Sequence, residues 1–427
     1  MSASVKGGPG DGFPGGFDAE TYLNSLVPIG WKLGLERMNL LSDELGRPQD
    51  RFDSIHVVGT NGKSSVTRMT GSIITAHGHR TGCSLSPHLT RWSERVVVDG
   101  KEIDPVRFSR AVEQTARAAE AVNATLENGE VVTQFEVATA AAFLALAEAG
   151  VELAVIEAGL GGRLDATNSI DSLATVLTSI GLDHTEFLGE TEREIAAEKL
   201  AVLRPGTALV LGTLAPEVDA LAVETAAARN CRVIRPAAEP GPELASAGGF
   251  QQRNFAVARA AAEVWLGTVE EEATARAAAG LVIPGRLEKI SESPPTFVDV
   301  AHNRSGAAAL AGALPEVAGD GPVIACIAAL ADKDAVGMLA ELRGSVDRAV
   351  FTELPAAALE AWGRPGARSW PARDLLAAGE DLGMQGEVEP EPAAAIARAR
   401  ELARELGGSV IVAGSHFLLA SGGPPDE

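Results

Sequence analysis

A glycine-punctuated turn followed by lysine and serine is the segment of this chain best suited to bind a phosphate. It lies in His56–Ser65, where an apolar run precedes the turn and a helical run, Val66–Ala76, follows it. A strand, a turn and a helix in this order aim backbone N–H groups and a helix N-terminus at one place. Lys63 would add a positive charge beside the β- and γ-phosphates, and the Ser64 hydroxyl can ligate Mg²⁺. The match is partial, because the full pattern requires glycine where Val57 stands, and similar turns that bind nothing also occur.

Two further predicted strands end in polar residues that suit a ligand site. The run Glu152–Ile156 leads into Glu157 and a glycine-rich stretch, and the run Leu173–Thr178 leads into a segment that contains His184. The carboxyl ends of parallel strands meet at one edge of a sheet, where α/β proteins hold ligands. We therefore expect the glycine turn, Glu157 and His184 to share one crevice. The alternatives are a surface carboxylate and a structural histidine.

The architecture expected around these residues is α/β with a largely parallel sheet, because apolar strands alternate with alanine-rich helices. The 427 residues suffice for two or three domains. The pattern restarts after Pro284-Gly285-Arg286, so we predict a P-loop mononucleotide-binding domain over residues 1–284 and a smaller, Rossmann-like α/β domain over 285–427. Residues 1–16, rich in glycine and proline, are expected to form a flexible tail. Two such units form a cleft that can close on a nucleotide and an acceptor.

Local signals predict where some elements begin and end. Asp99-Gly100 is a hairpin turn signal, and Asp104 is the expected N-cap of a long helix. A helix from about Gln134 to Glu148 places Phe135 and Glu136 at its start, where a side chain can face a ligand. The stretch from residue 355 to residue 372 has no regular pattern.

The composition restricts the classes of partner and compartment. The chain has 36 basic and 58 acidic residues, a net charge of −22, which disfavours nucleic acid and anionic membrane as partners. The three cysteines are far apart and form no C-x-x-C pair, so neither disulfides nor a zinc site are expected and a reducing cytoplasm fits. The first residues lack the pattern of a signal peptide, and the longest apolar run, Val137–Ala147, is short of the ~20 residues of a membrane helix.

The glycine turn, Glu157, His184 and Lys199 together resemble the Mur ligase superfamily of ATP-dependent amide-forming enzymes. Further stretches are similar to the folylpolyglutamate synthase/dihydrofolate synthase family: Ser86-Pro87-His88-Leu89, Glu157 to Asn168, Pro284-Gly285-Arg286, Asp299-x-Ala301-His302-Asn303, Gly34 to Met38 and Asp332-Lys333-Asp334. The resemblance spans the chain from about Leu23 to Phe417.

The resemblance implies a set of residues for ATP and metal. The ATP-binding positions are Gly59, Thr60, Asn61, Gly62, Lys63, Ser64, Ser65, Asn254, Arg286 and Asp299. Two Mg²⁺ ions would be held by Ser64, Ser86, Glu157, His184 and Lys199, the lysine as a carbamate. A carbamate would be attracted by two Mg²⁺ ions, whereas an ammonium would be repelled. The alternative for Lys199 is a solvated helix lysine. The catalytic residues implied are Lys63, Glu157, His184 and Lys199.

The resemblance also implies where the other two substrates bind. The segments that would contact a pterin or folate comprise Thr133, Gln134, Phe135, Glu136, Leu164, Asp165 and Ala166. His302 and Ser415 are candidates for binding the incoming glutamate. The implied reaction moves the γ-phosphoryl group of ATP to a substrate carboxylate, and the α-amine of L-glutamate then attacks the acyl phosphate. Such catalysis relies on positioning and charge stabilisation.

Two other functions remain open at this point. Another Mur-type ligase, such as one acting on a cell-wall precursor, would share the loop, Glu157, His184 and Lys199. A nucleotide-binding regulator without turnover would keep Lys63 and tolerate loss of the metal ligands. The acceptor is dihydropteroate, tetrahydrofolate or both, and we expect a monomer.

Overall fold

Two β-sheets, one in each half of the chain, organise the structure. The structure is a computed structural model that describes residues 17–26, 34–236, 241–361 and 366–421. The predicted tail, residues 1–16, lies outside the described residues.

Eight strands form the first sheet. They are β1 (Asp53–Val58), β2 (Thr81–Ser84), β3 (Val96–Val98), β4 (Lys101–Glu102), β5 (Leu153–Glu157), β6 (Ala174–Leu177), β7 (Ala208–Leu211) and β8 (Arg232–Ile234). Their order is β4-β3-β2-β5-β1-β6-β7-β8, and all neighbours from β2 to β8 are parallel. β3 and β4 are added antiparallel at one edge. The central strands are apolar and buried over nearly their whole length, as expected for a parallel sheet covered on both faces.

The helices of this half cover the sheet and carry strong N-terminal signals. They are α1 (Ala19–Ser25), α2 (Glu36–Glu44), α3 (Lys63–Ala76), α4 (Pro105–Asn123), α5 (Gln134–Ala149), α6 (Thr185–Leu188), α7 (Glu192–Leu200), α8 (Pro216–Ala228), α9 (Gly249–Leu266) and α10 (Glu271–Gly280). Short 3-10 helices cover Pro48–Arg51, Trp92–Arg95 and Ala166–Ser169. The Asp104 carboxylate caps α4, and Thr133 and Thr191 begin α5 and α7 with capping boxes.

The second half has its own six-stranded sheet. Its strands are β9 (Glu288–Glu292), β10 (Pro295–Val298), β11 (Val323–Ile327), β12 (Arg348–Phe351), β13 (Gly386–Val388) and β14 (Ser409–Ala413). The order is β13-β12-β11-β14-β10-β9, parallel except for β9. The helices are α11 (Arg304–Val317), α12 (Ala335–Leu342), α13 (Ala356–Ala361), α14 (Ala372–Asp381), α15 (Pro392–Leu406) and α16 (His416–Ser421).

Separate apolar cores lie on the faces of the two sheets. The cores of the first sheet include residues up to Ile283, and those of the second begin at Leu287. Among the described residues of the first half, Ala247, just before α9, and Phe250, in its first turn, pack against the second core. We therefore propose the domain boundary at residues 284/285, where the sequence predicts it.

The predicted α/β fold is confirmed. The elements that the sequence analysis missed are polar strands at the sheet edges and a short helix. The hairpin turn is confirmed, because Asp99 and Gly100 both have positive φ, 50° and 77°. The sequence analysis missed β9 and β13, which are half-buried edge strands without an apolar run. The stretch 355–372 was predicted to be irregular, but it contains α13. Within the described part of the chain, every helix is too short or too polar to cross a membrane.

Candidate active site

Four neighbouring strands of the first sheet bring the predicted polar residues to one edge. The order β2-β5-β1-β6 is parallel throughout, and Val57 of β1 lies opposite Glu157 at the end of β5. Ser86 follows β2, and His184 follows β6. The order of the strands therefore brings these residues together at the carboxyl edge of the sheet, as expected.

The glycine turn after β1 can form only with glycine at two positions. A Cβ on Gly59 would lie 2.0 Å from Thr178 Oγ1, and Gly62 has φ +83° with Asn254 Oδ1 2.8 Å from its ideal Cβ. The turn therefore lies close against β6 and α9. Lys63 is the first residue of α3, and its Nζ donates to the carbonyls of Gly59 and Thr60, each at 3.1 Å. Strand, turn and helix thus follow one another as a phosphate site requires.

Glu157 lies at the centre of this edge and is 2% exposed. Ser64 Oγ donates to Glu157 Oε1 at 2.8 Å, and the Ser86 backbone N–H donates to Oε2 at 3.1 Å. Burial raises the pKa of Glu157, while the nearby Lys63 and these two hydrogen bonds act in the opposite direction. The three predicted metal-binding residues Ser64, Ser86 and Glu157 are therefore in one place.

Asp183, which the sequence analysis did not select, joins the two domains beside His184. Lys333 Nζ of the second domain lies 2.5 Å from Asp183 Oδ1, and Asn303 Nδ2 donates to Oδ2 at 3.0 Å. His302 Nε2 lies 3.4 Å from the same carboxylate. Burial alone would raise the pKa of Asp183, but the His302 hydrogen bond and the neighbouring positive groups hold that pKa well below its ordinary range.

The glycine turn itself contacts the second domain. Asn61 Nδ2 donates to Asn303 Oδ1 at 3.1 Å and to Ser305 Oγ at 2.8 Å, and Asn303 Nδ2 donates back to Asn61 Oδ1 at 3.1 Å. A ligand that touches the turn therefore also touches the interface between the domains.

Lys199, near the end of α7, is buried in the same place and is 4% exposed. Among the described residues its Nζ forms neither a hydrogen bond nor an ion pair. Burial, helped by the charge of Lys63, lowers the pKa of Lys199 to about 7. The glycine stretch after Glu157 packs on α7 here, because a Cβ on Gly162 would lie 2.8 Å from Glu198 O and 2.9 Å from Lys199 O.

The predicted nucleotide residues of the second domain, Arg286 and Asp299, carry opposite charges that influence each other, and Asp299 is buried. Asp299 accepts from the backbone N–H groups of Leu287 at 2.9 Å and Ala301 at 2.8 Å. Burial raises the pKa of Asp299, and the nearby Arg286 opposes this. Burial lowers the pKa of Arg286, and Asp299 opposes that in turn. Arg286 Nη1 donates to Gly285 O at 3.3 Å, and the side chain lines the cavity.

The predicted glutamate residues face the first sheet from the second one. His302 follows β10, and its Nδ1 donates to Val300 O at 2.8 Å, which leaves Nε2 directed towards Asp183. Ser415 follows β14 and is 2% exposed, and its Oγ accepts from the Phe417 backbone N–H at 3.3 Å.

A cavity of about 1050 Å³ lies between the two sheet edges. The predicted residues that line it are Gly59, Thr60, Asn61, Gly62, Lys63, Ser64, Ser65, Ser86, Gln134, Phe135, Glu157, His184, Lys199, Asn254, Arg286, Asp299, His302 and Ser415. The cavity is large enough for a nucleotide together with a second substrate.

Five predicted pterin contacts lie outside the lining of this cavity: Thr133, Glu136, Leu164, Asp165 and Ala166.

Two of them, Thr133 and Glu136, belong to the capping box of α5. The interpretation that Glu136 faces a ligand is wrong, because its carboxylate is buried 3.0 Å from the Arg37 guanidinium. Arg37 and Glu136 are 99 residues apart, so no local sequence pattern indicates this ion pair.

Asp165 instead shapes the backbone of the glycine stretch. Its carboxylate accepts from the N–H groups of Leu160 at 2.7 Å and Thr167 at 3.0 Å. Phe135 does face the cavity, and its ring occupies the space beside Gly159, where a Cβ would lie 2.3 Å from Cζ.

Sequence reasoning missed several residues that line the cavity or its interface. Asp183 and Lys333 stood in segments that had been singled out, yet neither was assigned a role. Their ion pair spans 150 residues, so proximity could not be inferred from spacing. His88, in a stretch quoted for the family resemblance, and Arg95 also line the cavity.

Comparisons with known proteins agree with this geometry. Residues 285–416 match the Mur ligase, glutamate ligase domain family. The dihydrofolate synthase/folylpolyglutamate synthase of Mycobacterium tuberculosis is 34% identical over 362 residues, covering 74% of this chain and 74% of that protein.

Two solved structures extend the match over nearly the whole chain. E. coli FolC in complex with DHPP and ADP has a TM-score of 0.80 and 30% identity, covering 94% of this chain and 95% of that one. The bifunctional folylpolyglutamate synthase/dihydrofolate synthase from Yersinia pestis, complexed with AMPPNP and Mn ion, has a TM-score of 0.79 and 29% identity, with the same coverage. Motifs, fold and relatives agree: the chain belongs to the dihydrofolate synthase/folylpolyglutamate synthase family of Mur-type ligases.

Proposed function

We propose that the protein uses ATP to join L-glutamate to the carboxylate of dihydropteroate or of a reduced folate. The observation that carries this proposal is the cavity in which the glycine turn and Glu157 of the first domain face His302 and Ser415 of the second. An ATP-dependent amide ligase needs its three substrates together at such a place. The related structures with nucleotide, metal and DHPP bound support the same conclusion.

The reaction we propose has two chemical steps. An oxygen of the acceptor carboxylate attacks the γ-phosphorus of ATP, ADP leaves, and an acyl phosphate results. The α-amine of glutamate then attacks the acyl carbon, a C–N bond forms, the C–O bond to phosphate breaks, and the amine loses a proton. Lys63 and the N–H groups of the glycine turn would hold the transferring phosphoryl group and stabilise its charge.

Ser64, Ser86, Glu157 and His184 are the residues proposed to hold a divalent metal. Serine and carboxylate oxygens are the donors that Mg²⁺ prefers, and the Ser64 hydroxyl lies 2.8 Å from the Glu157 carboxylate. Within the described parts of the chain, no three histidine, cysteine or acidic side chains group closely enough to hold a metal by themselves. This fits Mg²⁺, which typically combines one or two carboxylates with phosphate oxygens and water. When bound, it would neutralise charge on the phosphates.

Lys199 is proposed to be carbamylated and to help hold a second metal ion. Only a neutral amine reacts with CO₂, and a pKa of about 7 leaves a large neutral fraction at physiological pH. Burial without a described hydrogen-bond partner supports this modification rather than a solvated lysine. We expect turnover to fall in CO₂-depleted buffer and to recover with bicarbonate, and labelled bicarbonate should give a carbamate signal that Lys199→Met lacks. Turnover that ignores bicarbonate, with no carbamate signal, would remove this part of the proposal.

Gln134 and Phe135 are the residues we propose for contact with the flat ring system of the acceptor. Both line the cavity, and the Phe135 ring offers a surface on which an aromatic ligand can stack. Thr133, Glu136, Leu164, Asp165 and Ala166 would act only by supporting these residues and the glycine stretch. His302 and Ser415 are proposed for the incoming glutamate.

A comparison of acceptors tests the proposed function. Purified protein with ATP, Mg²⁺ and L-glutamate is offered dihydropteroate, tetrahydrofolate monoglutamate or a nucleotide-linked peptide, and phosphate release and product mass are measured. We expect glutamate-dependent phosphate release with one or both of the first two. Turnover of the peptide alone would favour a cell-wall ligase, and ATP binding without glutamate-dependent phosphate release would favour a regulator. The expected monomer and the cytoplasmic location stay predictions.

A further inference from the structure

Arg95 is a cation of the cavity to which no role has been given. It directly precedes β3, and its backbone carbonyl accepts from the Leu85 N–H at 2.8 Å, one residue before Ser86. Its Nε donates to His88 Nδ1 at 2.9 Å, and its guanidinium carbon lies 4.1 Å from the centroid of the Trp92 ring. The side chain is thus held from two directions, by a hydrogen bond and by a cation–π contact.

The residues that hold Arg95 are themselves fixed. Trp92 is 3% exposed, and its indole N–H donates to Asn24 Oδ1 of α1 at 2.9 Å. The Glu94 carboxylate accepts from the backbone N–H groups of Leu89 at 2.7 Å and Thr90 at 3.0 Å, which fixes the segment between Ser86 and Arg95. The guanidinium is therefore pre-organised before any ligand arrives.

No described carboxylate forms an ion pair with Arg95, although it is half-buried in the site. Its nearest acidic groups, Glu157, Glu20 and Glu94, act on it only at longer range. Burial lowers the pKa of Arg95 to about 10, so the group stays charged at neutral pH. His88 offsets none of this charge with a negative group, because its Nδ1 only accepts the hydrogen bond from Arg95 Nε. A buried charge without a partner is costly, and an anionic ligand would remove that cost.

The backbone of Arg95 lies several strands away from the glycine turn. Three strand spacings lie between β3 and β1 in the order β3-β2-β5-β1, which is about 14 Å. The helix that carries Gln134 and Phe135, α5, also packs against β3. The backbone of Arg95 therefore lies towards the aromatic surface of the cavity, while its side chain lines the same cavity as the glycine turn, so a carboxylate held by Arg95 would lie between the two.

We propose that Arg95 binds the carboxylate of the acceptor substrate and so selects an aromatic acid over its neutral analogues. This inference rests on the proposed function, and it names the group that recognises the reacting end of the acceptor. A guanidinium presents two parallel N–H groups that match the two oxygens of a carboxylate. Trp92 and Phe135 would contact the apolar part of the same ligand, while Glu157 and the glycine turn hold metal and nucleotide beyond it.

The test compares dihydropteroate with its carboxamide, two ligands that differ in whether the carboxyl position carries a negative charge. Calorimetric titration gives the Kd of dihydropteroate and of its carboxamide for the full-length protein and for the variants Arg95→Met and Arg95→Lys. Because charge-assisted hydrogen bonds are involved, the unmodified protein should prefer the acid by about 10- to 100-fold. Arg95→Met should lose this preference with little change in carboxamide binding, and Arg95→Lys should keep part of it. The exposed Arg110, changed to Met, serves as the control and should leave the preference intact.

The ratio of the two Kd values is measured within one protein, so a partly unfolded variant does not change it. An unaltered preference in Arg95→Met, or an equal loss of acid and carboxamide binding, would overturn the assignment. Steady-state kinetics give a second check. If Arg95→Met raised only the KM for ATP or for glutamate, the assignment would also be overturned, because Arg95 would then bind a different anion. Protein that binds neither ligand, and that turns over a different acceptor, would overturn the proposed function together with the inference.

Discussion

Two lysines line the same cavity, one at the glycine turn and one near the end of α7, and their surroundings differ. Lys63 donates to two backbone carbonyls of its own turn. Lys199 has no such acceptor among the described residues, and its pKa is lowered to about 7. Burial lowers the pKa of both, but at Lys63 the charge of Glu157 opposes this effect. We propose that the lysine with backbone acceptors is the cation that binds phosphate, whereas the buried lysine without them is the one that is carbamylated.

Among changes that test the comparison of Lys63 with Lys199, Lys63→Ala should have the largest effect on turnover. Loss of a positioned charge-stabilising donor is expected to lower kcat by at least about 10²-fold. Steady-state phosphate release measures it, with the exposed Lys101→Ala as a control that keeps full activity. Near-normal turnover of Lys63→Ala would show that the lysine at the turn is not the phosphate-stabilising one.

Gly162→Ala should disturb the end of α7 around Lys199 without changing either lysine side chain. The added methyl group would meet the backbone of Glu198 and Lys199 at 2.8–2.9 Å, and backbone cannot move aside cheaply. We expect a loss of about 1–3 kcal/mol in the free energy of unfolding by chemical denaturation. Gly344→Ala, where nothing lies within 4 Å, is the matched control and should stay within about 0.5 kcal/mol. Equal effects of the two changes would mean that the glycine stretch does not position α7.

Asp183 connects both lysines to the second domain and should couple to Lys333. Its charge opposes the lowering of the pKa of Lys63 and of Lys199 by burial, and both partners of its ion pair with Lys333 are buried. A double-mutant cycle of Asp183→Asn and Lys333→Met in kcat/KM is expected to give a coupling of about 1–2 kcal/mol. Additive effects would show that the two domains do not depend on this contact for catalysis.

The lowered pKa of Lys199 predicts a small but specific pH effect on stability. In CO₂-free buffer the folded group loses its proton near pH 7, and the unfolded group near its ordinary 10.5. Between these values the unfolded state binds more protons, so the free energy of unfolding rises with pH. From pH 8 to pH 9 the unmodified protein should gain about 1 kcal/mol more than Lys199→Met. Parallel pH profiles for the two proteins would mean that Lys199 titrates at its ordinary value.

The glycine turn and the acceptor region also differ in how well the sequence predicts them. The turn was predicted residue by residue, because its strand, glycines and helix are consecutive in the chain. In the acceptor region Glu136 was wrongly predicted to face a ligand, since its partner Arg37 lies 99 residues away. Asp183 was overlooked for the same reason, because Asn303 and Lys333 follow 120 and 150 residues later.

The sequence by itself determined the α/β alternation, the glycine turn that begins α3, and the strand ends that carry Glu157 and His184. These features depend on local periodicity and on backbone conformations that only certain residues adopt. The tertiary structure alone decided which charges are paired across the domains. It also decided that Lys199 is buried and Arg95 half-buried without a described carboxylate partner, and that Glu136 is buried beside Arg37. The physical reason is that desolvation and ion pairing depend on distances in space, and those are set only when distant segments pack together.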